Sequence, residues 1–244
     1  MTTLLQISDL YKSFAQKEVL KDINLQVKKG EVIVILGPSG CGKSTLLRTI
    51  NGLEKIDSGS ILFENSELNH PKTDWTAVRS KIGMVFQSYD LFPNMTVLDN
   101  LLLGPLKVEK RRRNEALKQI DQLLTRVGLL DRKNAYPREL SGGQKQRIAI
   151  VRALAMNPQI MLFDEVTASL DPEMVREVLE VILELAASGM TMLIVTHELN
   201  FAQKVADKII FMEAGSILEI TDPEIFFNKP KTQRAQQFLT VFDF

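Results

Sequence analysis

The stretch Gly37–Thr45, GPSGCGKST, follows the apolar run Val32–Leu36 and precedes the helix-like LLRTI, and it constrains the fold more than any other segment of the chain. Gly37, Gly42, Lys43 and Ser44 satisfy G-x-x-x-x-G-K-[ST] in the strand–loop–helix setting that gives the pattern its meaning. The glycines let the backbone through Pro38, Ser39, Gly40 and Cys41 curl until successive N–H groups point at phosphate oxygens. The helix starting near Thr45 adds its positive end. Lys43 is expected to neutralise the β and γ phosphates of ATP, and the Ser44 hydroxyl to ligate Mg2+, a hard cation that favours oxygen. The bland alternative, an ordinary glycine turn, gives no account of the strand before the loop and the helix after it. Cys41, close to a helix N-terminus, is expected to be a favoured thiolate whose alkylation would block ATP binding.

Apolar runs rich in Val and Ile recur at EVIVILG, KIGMVFQ, QIMLFDE, TMLIVTHE and DKIIFME. Runs this continuously apolar suit strands covered on both faces, the parallel-sheet arrangement of α/β proteins, although a short buried helix reads similarly. Ligands of such sheets sit beyond the carboxyl ends of the strands, which makes the residues just after each run the candidates for chemistry. The first residues, MTTLLQISDLYKSF, read as a strand and not as a secretory signal. No apolar run approaches the roughly 20 residues of a membrane helix, so a soluble or peripheral chain is expected.

Between Lys107 and Leu130, apolar residues at Leu117, Ile120, Leu124 and Val127 keep helical spacing, which predicts an inserted helical subdomain. The basic cluster Lys110, Arg111, Arg112 and Arg113 within it reads as a solvated helix face rather than a lipid contact. Charge matters here chiefly for what it excludes. With 30 Lys plus Arg against 30 Asp plus Glu, there is no field to gather nucleic acid, and no nucleic-acid partner is expected. A single cysteine in 244 residues rules out an intrachain disulfide and suits a reducing, cytoplasmic setting.

The strand ending at Phe163 delivers adjacent carboxylates, Asp164 and Glu165. Asp164 suits metal binding; Glu165, one residue farther out, suits positioning and deprotonating water. Alone, such a pair is more often an exposed turn, and only the phosphate loop gives it catalytic meaning. Gln87 and His197 stand in the same way after KIGMVF and TMLIVT, where Gln87 would reach metal or water and His197 a γ-phosphate. Asp171 precedes Pro172 and reads equally as a helix cap or as part of a functional loop. A second serine–glycine helix start, LSGGQ, places Ser141, Gly142, Gly143 and Gln144 ahead of KQRIAIVRALAM, and so forms another anion-binding device. One ATP has one γ-phosphate, so two such devices in one chain point to an interface that shares them.

GPSGCGKST, Gln87, LSGGQ, Asp164–Glu165, Ser169–Leu170–Asp171 and His197, in this order, resemble the ATP-binding cassette family over nearly the whole chain. The resemblance implies an α/β fold: a P-loop NTPase core with a mainly parallel sheet, an N-terminal antiparallel β part and an inserted α-helical subdomain. Residues 1–87 and 156–221 would form the core, 88–155 the helical subdomain with LSGGQ, and 222–244 a helical tail. It also implies a head-to-tail dimer with a second copy of the chain, in which LSGGQ of one closes on ATP held by the other. Phe14 aligns with the aromatic that stacks on adenine, with Tyr11 as the runner-up and core packing the bland alternative for both.

Two features depart from the family pattern. The segment after Glu165 reads Val166-Thr167-Ala168-Ser169-Leu170-Asp171 where Pro-Thr-Ser-Ala-Leu-Asp is usual, and Val151 stands where alanine is commoner. Both carboxylates and Asp171 are kept. VFQSYDLFPNMTVLDNLLLGPLKV and EIFFNKPKTQRAQQFL resemble the ATPases of bacterial polar amino acid importers. That likeness implies separate permease subunits, a solute-binding protein and a place on the cytoplasmic face of the inner membrane. Leu91, Phe92 and Met95 would then receive the permease. An exporter or lipid-linked system, or a soluble ATPase of repair or translation, are the competing readings. The first often carries fused membrane helices and the second long coiled coils or a second cassette, and the sequence contains none of these.

Overall fold

The computed structural model describes residues 2–241, so Met1 and the last three residues of the expected tail, 242–244, lie outside the described residues. Along the chain come β1 (Thr3–Phe14), β2 (Lys17–Lys28), β3 (Val32–Leu36), α1 (Lys43–Ile50), β4 (Ser58–Phe63), β5 (Ser66–Glu67), α2 (Trp75–Lys81) and β6 (Ile82–Val85). They are followed by α3 (Val97–Lys107), α4 (Arg113–Arg126), α5 (Gly142–Leu154), β7 (Ile160–Asp164), α6 (Pro172–Ala187) and β8 (Thr191–Val195). The chain closes with α7 (Leu199–Val205), β9 (Lys208–Glu213), β10 (Ser216–Thr221), α8 (Pro223–Asn228) and α9 (Gln233–Thr240). Two compact units result, Met1–Val78 with Gly189–Phe244, and Arg79–Ser188.

In the first unit, β3 runs parallel to β8 on one side and to β9 on the other, and β10 adds antiparallel to β9. All residues of β3 and β8 are buried, as their unbroken apolar runs require. The other sheet, in the order β2-β1-β4-β5, is antiparallel and alternates buried with exposed residues, so one face meets the core. Leu20 and Ile23 are three apart yet both fully buried. The register shifts between them, with Asp22 at φ 49°, and this bulge restores the inward face. The tail folds as α8 and α9. Thr232 caps α9 by accepting from Ala235 N at 3.2 Å, and the Glu219 carboxylate of β10 accepts from the amides of Lys231 and Thr232 at 2.9 and 3.0 Å.

The second unit pairs β6 with β7 in parallel, Ile82 beside Ile160 through Val85 beside Phe163, and holds the helices of segment 88–155 together with α6. The expected helix near 117–127 is α4, which buries Ala116, Ile120 and Leu124. Lys107 closes a separate helix, α3, whose N-cap Thr96 accepts from Asp99 N. The basic cluster is not uniformly solvated. Arg111 turns inward, pairing with Glu109 at 2.6 Å and donating to Gln119 and to the Ala155 carbonyl. The buried Ala155 carbonyl recruits it across 44 residues of chain, a contact that no charge run reveals.

Candidate nucleotide site and signature helix

In the first unit the segment Gly37–Thr45 runs from the carboxyl end of β3 through a loop ending at Gly42 into the first residues of α1. Gly37 has φ 149°, and a Cβ there would stand 2.1 Å from the Met212 carbonyl oxygen, so only glycine lets the loop pass β9. Gly42 caps α1 at φ 107°, and a Cβ there would meet the Val19 carbonyl at 2.7 Å. Lys43 is 4% exposed, yet its ammonium is satisfied by the Gly37 and Pro38 carbonyls at 2.9 and 3.0 Å. A buried cation held by the loop's own carbonyls can exchange them for phosphate oxygens without crossing open solvent. No acidic residue occupies the first turn of α1, which leaves its positive end uncompensated by a local carboxylate. Ser44 and Thr45 are half-buried, and Ser39 and Gly40 are exposed.

The expectation of a favoured thiolate at Cys41 is overturned. Its thiol is 5% exposed, and burial pushes its pKa up by more than the Lys43 charge and nearby amides pull it down. It therefore stays protonated. Folded protein at pH 7 should label with iodoacetamide at least about tenfold more slowly than unfolded protein, as the thiolate fraction and access dictate. A mass-shift time course in which both label equally fast would contradict the burial.

Phe14 and Tyr11 are 43% and 38% exposed, which excludes core packing for both. The Lys12 ammonium lies 4.8 Å from the Phe14 ring centroid and 3.7 Å from Asp57, which also accepts from Ser13 N. His197 is exposed two residues beyond β8, after buried Thr196, whose hydroxyl accepts from Glu198 N at 3.1 Å.

In the second unit, β7 ends on Asp164, 5% exposed, and Glu165 follows at φ 48°, a left-handed conformation that costs a side chain about 1–2 kcal/mol. Strain of this kind is concentrated at functional positions. Gln87 is exposed, two residues beyond β6. Asp171 occupies the N-cap position of α6 with Pro172 behind it, but its side chain makes no capping hydrogen bond. The cap reading is thus right about place and wrong about the bond.

Ser141 and Gln144 form a capping box on α5. Ser141 Oγ accepts from Gln144 N at 3.2 Å, and Gln144 Oε1 accepts from Ser141 N at 3.0 Å. The S-x-x-Q spacing within LSGGQ is the sequence signal for it. The glycines have a packing reason as well, since a Cβ at Gly143 would meet Met174 of α6 at 2.9 Å. At Gly142 it would stand 2.9 Å from Leu170 and 3.1 Å from the Tyr89 hydroxyl. Within this unit, then, LSGGQ, the segment after Gln87 and the segment after Glu165 meet. The departure at Ser169 sets its hydroxyl 3.3 Å from that of Tyr89. Phe92 is 47% exposed, with Leu91 and Met95 half-buried. Buried Asn100 holds their loop, exchanging hydrogen bonds with Phe92 and donating to Met95 and Thr96 carbonyls.

A glycine loop with a buried lysine between a parallel strand and a helix defines a P-loop nucleotide-binding protein of the α/β class. Residues 20–168 match the family model described as "ABC transporter". The chain is 52% identical over 236 residues to the arginine transport ATP-binding protein ArtM of Bacillus subtilis (strain 168), covering 97% of this chain and 98% of that one. To the glutamate/aspartate import ATP-binding protein GltL of Escherichia coli (strain K12) it is 51% identical over 239 residues, 98% of each. Among solved structures, CbiO1 from Clostridium perfringens, part of the ABC transporter complex cbiONQ, superposes with a TM-score of 0.84 at 32% identity, covering 99% of this chain and 98% of that one. A dimeric post-hydrolysis state of the ATP-binding cassette MJ0796, bound to ADP and Pi, gives 0.81 at 33% identity over 90% of this chain and 99% of that one. The chain belongs to the ABC transporter family.

Proposed function

We propose that this chain is the ATP-hydrolysing subunit of an importer for polar amino acids, working as a head-to-tail pair on the cytoplasmic face of a bacterial inner membrane. The observation that carries the reading is the phosphate loop and LSGGQ helix in one chain that is about half identical, end to end, to subunits named for arginine and glutamate transport. Permease subunits bind the surface near Phe92, and a solute-binding protein delivers the amino acid to them. Among the described residues no helix is long and apolar enough to cross a membrane.

Phe14 stacks on adenine. Gly37–Thr45 wraps the phosphates, with the Lys43 ammonium leaving the Gly37 and Pro38 carbonyls for β and γ oxygens. The Ser44 hydroxyl, Gln87 amide and Asp164 carboxylate are hard oxygen donors that suit Mg2+. Donors of this kind suit a cation that shares its ligands with phosphates and water. When bound, Mg2+ supplies neutralisation of charge on the β and γ phosphates. Glu165 takes a proton from the attacking water, and His197 donates to the γ-phosphate as its charge develops. Ser141, Gly142, Gly143 and Gln144 of a second copy close on that phosphate, with Asp171 in the adjoining loop.

The test is hydrolysis by the complex co-purified from membranes and reconstituted. Turnover is expected to rise when one polar amino acid and its binding protein are supplied. Turnover unresponsive to every amino acid would overturn the importer reading, and absence of Mg2+-dependent hydrolysis in any preparation would overturn the enzymatic one.

A further inference from the structure

The segment that carries Gln87 holds a backbone conformation that side chains avoid. Tyr89 and Asp90 stand at φ 60° and 51° in succession. Asp90 N donates to the Ser88 carbonyl at 2.6 Å, closing a three-residue turn around Tyr89 of the rare, strained γ kind. Outside a two-residue hairpin turn such as Glu64–Asn65, two consecutive left-handed residues, neither of them glycine, are costly and call for support from their surroundings.

Helix α5 supplies that support. Gln146, fully buried, donates through Nε2 to the Phe86 carbonyl at 3.2 Å. Arg152 spreads its guanidinium over the next carbonyls, donating to Asp90 O at 2.5 Å and Tyr89 O at 3.3 Å. The planar fork suits two acceptors in a fixed relation, as a lysine ammonium would not. Burial lowers the pKa of Arg152, the neighbouring Asp90 carboxylate offsets this only in part, and arginine stays charged regardless. The Tyr89–Ser169 hydroxyl contact anchors the segment on its other side.

We propose that Arg152 and Gln146 are positioning residues that hold the Gln87 segment in the geometry hydrolysis requires, so that α5, with LSGGQ at its start, governs Gln87 from its far end. The inference deepens the ATPase reading and rests on it for its kinetic part alone. Helix α5 is 13 residues of continuous helix from Gly142 to Leu154. Whatever displaces Ser141 at one end therefore moves the Arg152 fork at the other, and with it the turn beside Gln87.

The experiment compares wild-type chain with R152K, D90V and D90G. It reads amide hydrogen exchange at residues 87–91, ATP affinity, and kcat and KM for hydrolysis. Asp90 is exposed, so its variants leave the core untouched even if R152K folds poorly. Valine resists a positive φ and glycine accepts it. R152K and D90V should speed exchange at 87–91 about tenfold and lower kcat roughly tenfold to a hundredfold, with ATP affinity within about twofold of wild type, as expected for lost alignment. D90G should retain at least about five times the kcat of D90V, and D90G added to R152K should recover most of the loss, because glycine needs no fork to hold its conformation. Unchanged exchange in R152K, equal kcat in D90V and D90G, or faster exchange with undiminished kcat would each overturn the proposal. If wild-type chain itself fails to hydrolyse ATP, the functional reading falls, while the exchange arm still decides whether the fork holds the turn.

Discussion

Replacing Glu165 by Gln is expected to leave ATP binding intact and to lower turnover by about 10²–10⁴-fold, the range for loss of a general base. The substitution keeps shape and hydrogen-bonding reach and removes the basic lone pair. Glutamine adopts the φ of 48° at this position with the same strain as glutamate, so backbone geometry is conserved and the change is confined to chemistry. Because hydrolysis is what reopens the proposed dimer, the variant should accumulate as an ATP-bound pair, detectable by gel filtration with Mg-ATP. Turnover near the wild-type rate would remove Glu165 from the base role and direct attention to His197.

Replacing Ser141 by Arg should abolish ATP-dependent dimerisation, and with it most hydrolysis, while a single chain still binds nucleotide through Gly37–Thr45. Two effects are entangled in that variant. Ser141 is the N-cap of α5, and losing its bond to Gln144 N costs about 0.5–2 kcal/mol of local stability. It is also exposed, at the helix end proposed to meet the partner's γ-phosphate. Ser141→Asp separates the two, because aspartate caps as well as serine but sets a negative charge against the phosphate. Both variants should remain monomeric with ATP by light scattering. A Ser141→Asp chain that dimerises normally would sink the shared-site account and leave only the cap.

The contrast between Lys43 and Cys41 shows how far local pattern reaches. Both lie in one nine-residue motif, and the pattern correctly sets Lys43 where a glycine loop that follows a strand enters a helix. It gives the wrong protonation for Cys41, because a helix terminus nearby is a local feature while desolvation depends on everything packed around the thiol. The five apolar runs were legible as strands, since burial on both faces leaves no room for polar residues. The direction of Arg111 was not, because its acceptors are Gln119 of α4 and the carbonyl of Ala155 at the C-terminal cap of α5. The reach of Arg152 across to Asp90 was hidden for the same reason.

By itself the sequence determined the α/β class, the phosphate loop, the strand-end positions of Gln87, Asp164, Glu165 and His197, and the LSGGQ start of a helix. Each of these comes from short-range periodicity or from residue types whose chemistry is local. Only the tertiary structure decided that Gly37 must lack a Cβ because a β9 carbonyl crosses it, that the thiol of Cys41 is buried and protonated, and that α5 grips the turn after Gln87. These depend on what distant segments bring to one place, and exclusion of water and close approach belong to the packed chain rather than to any stretch of it.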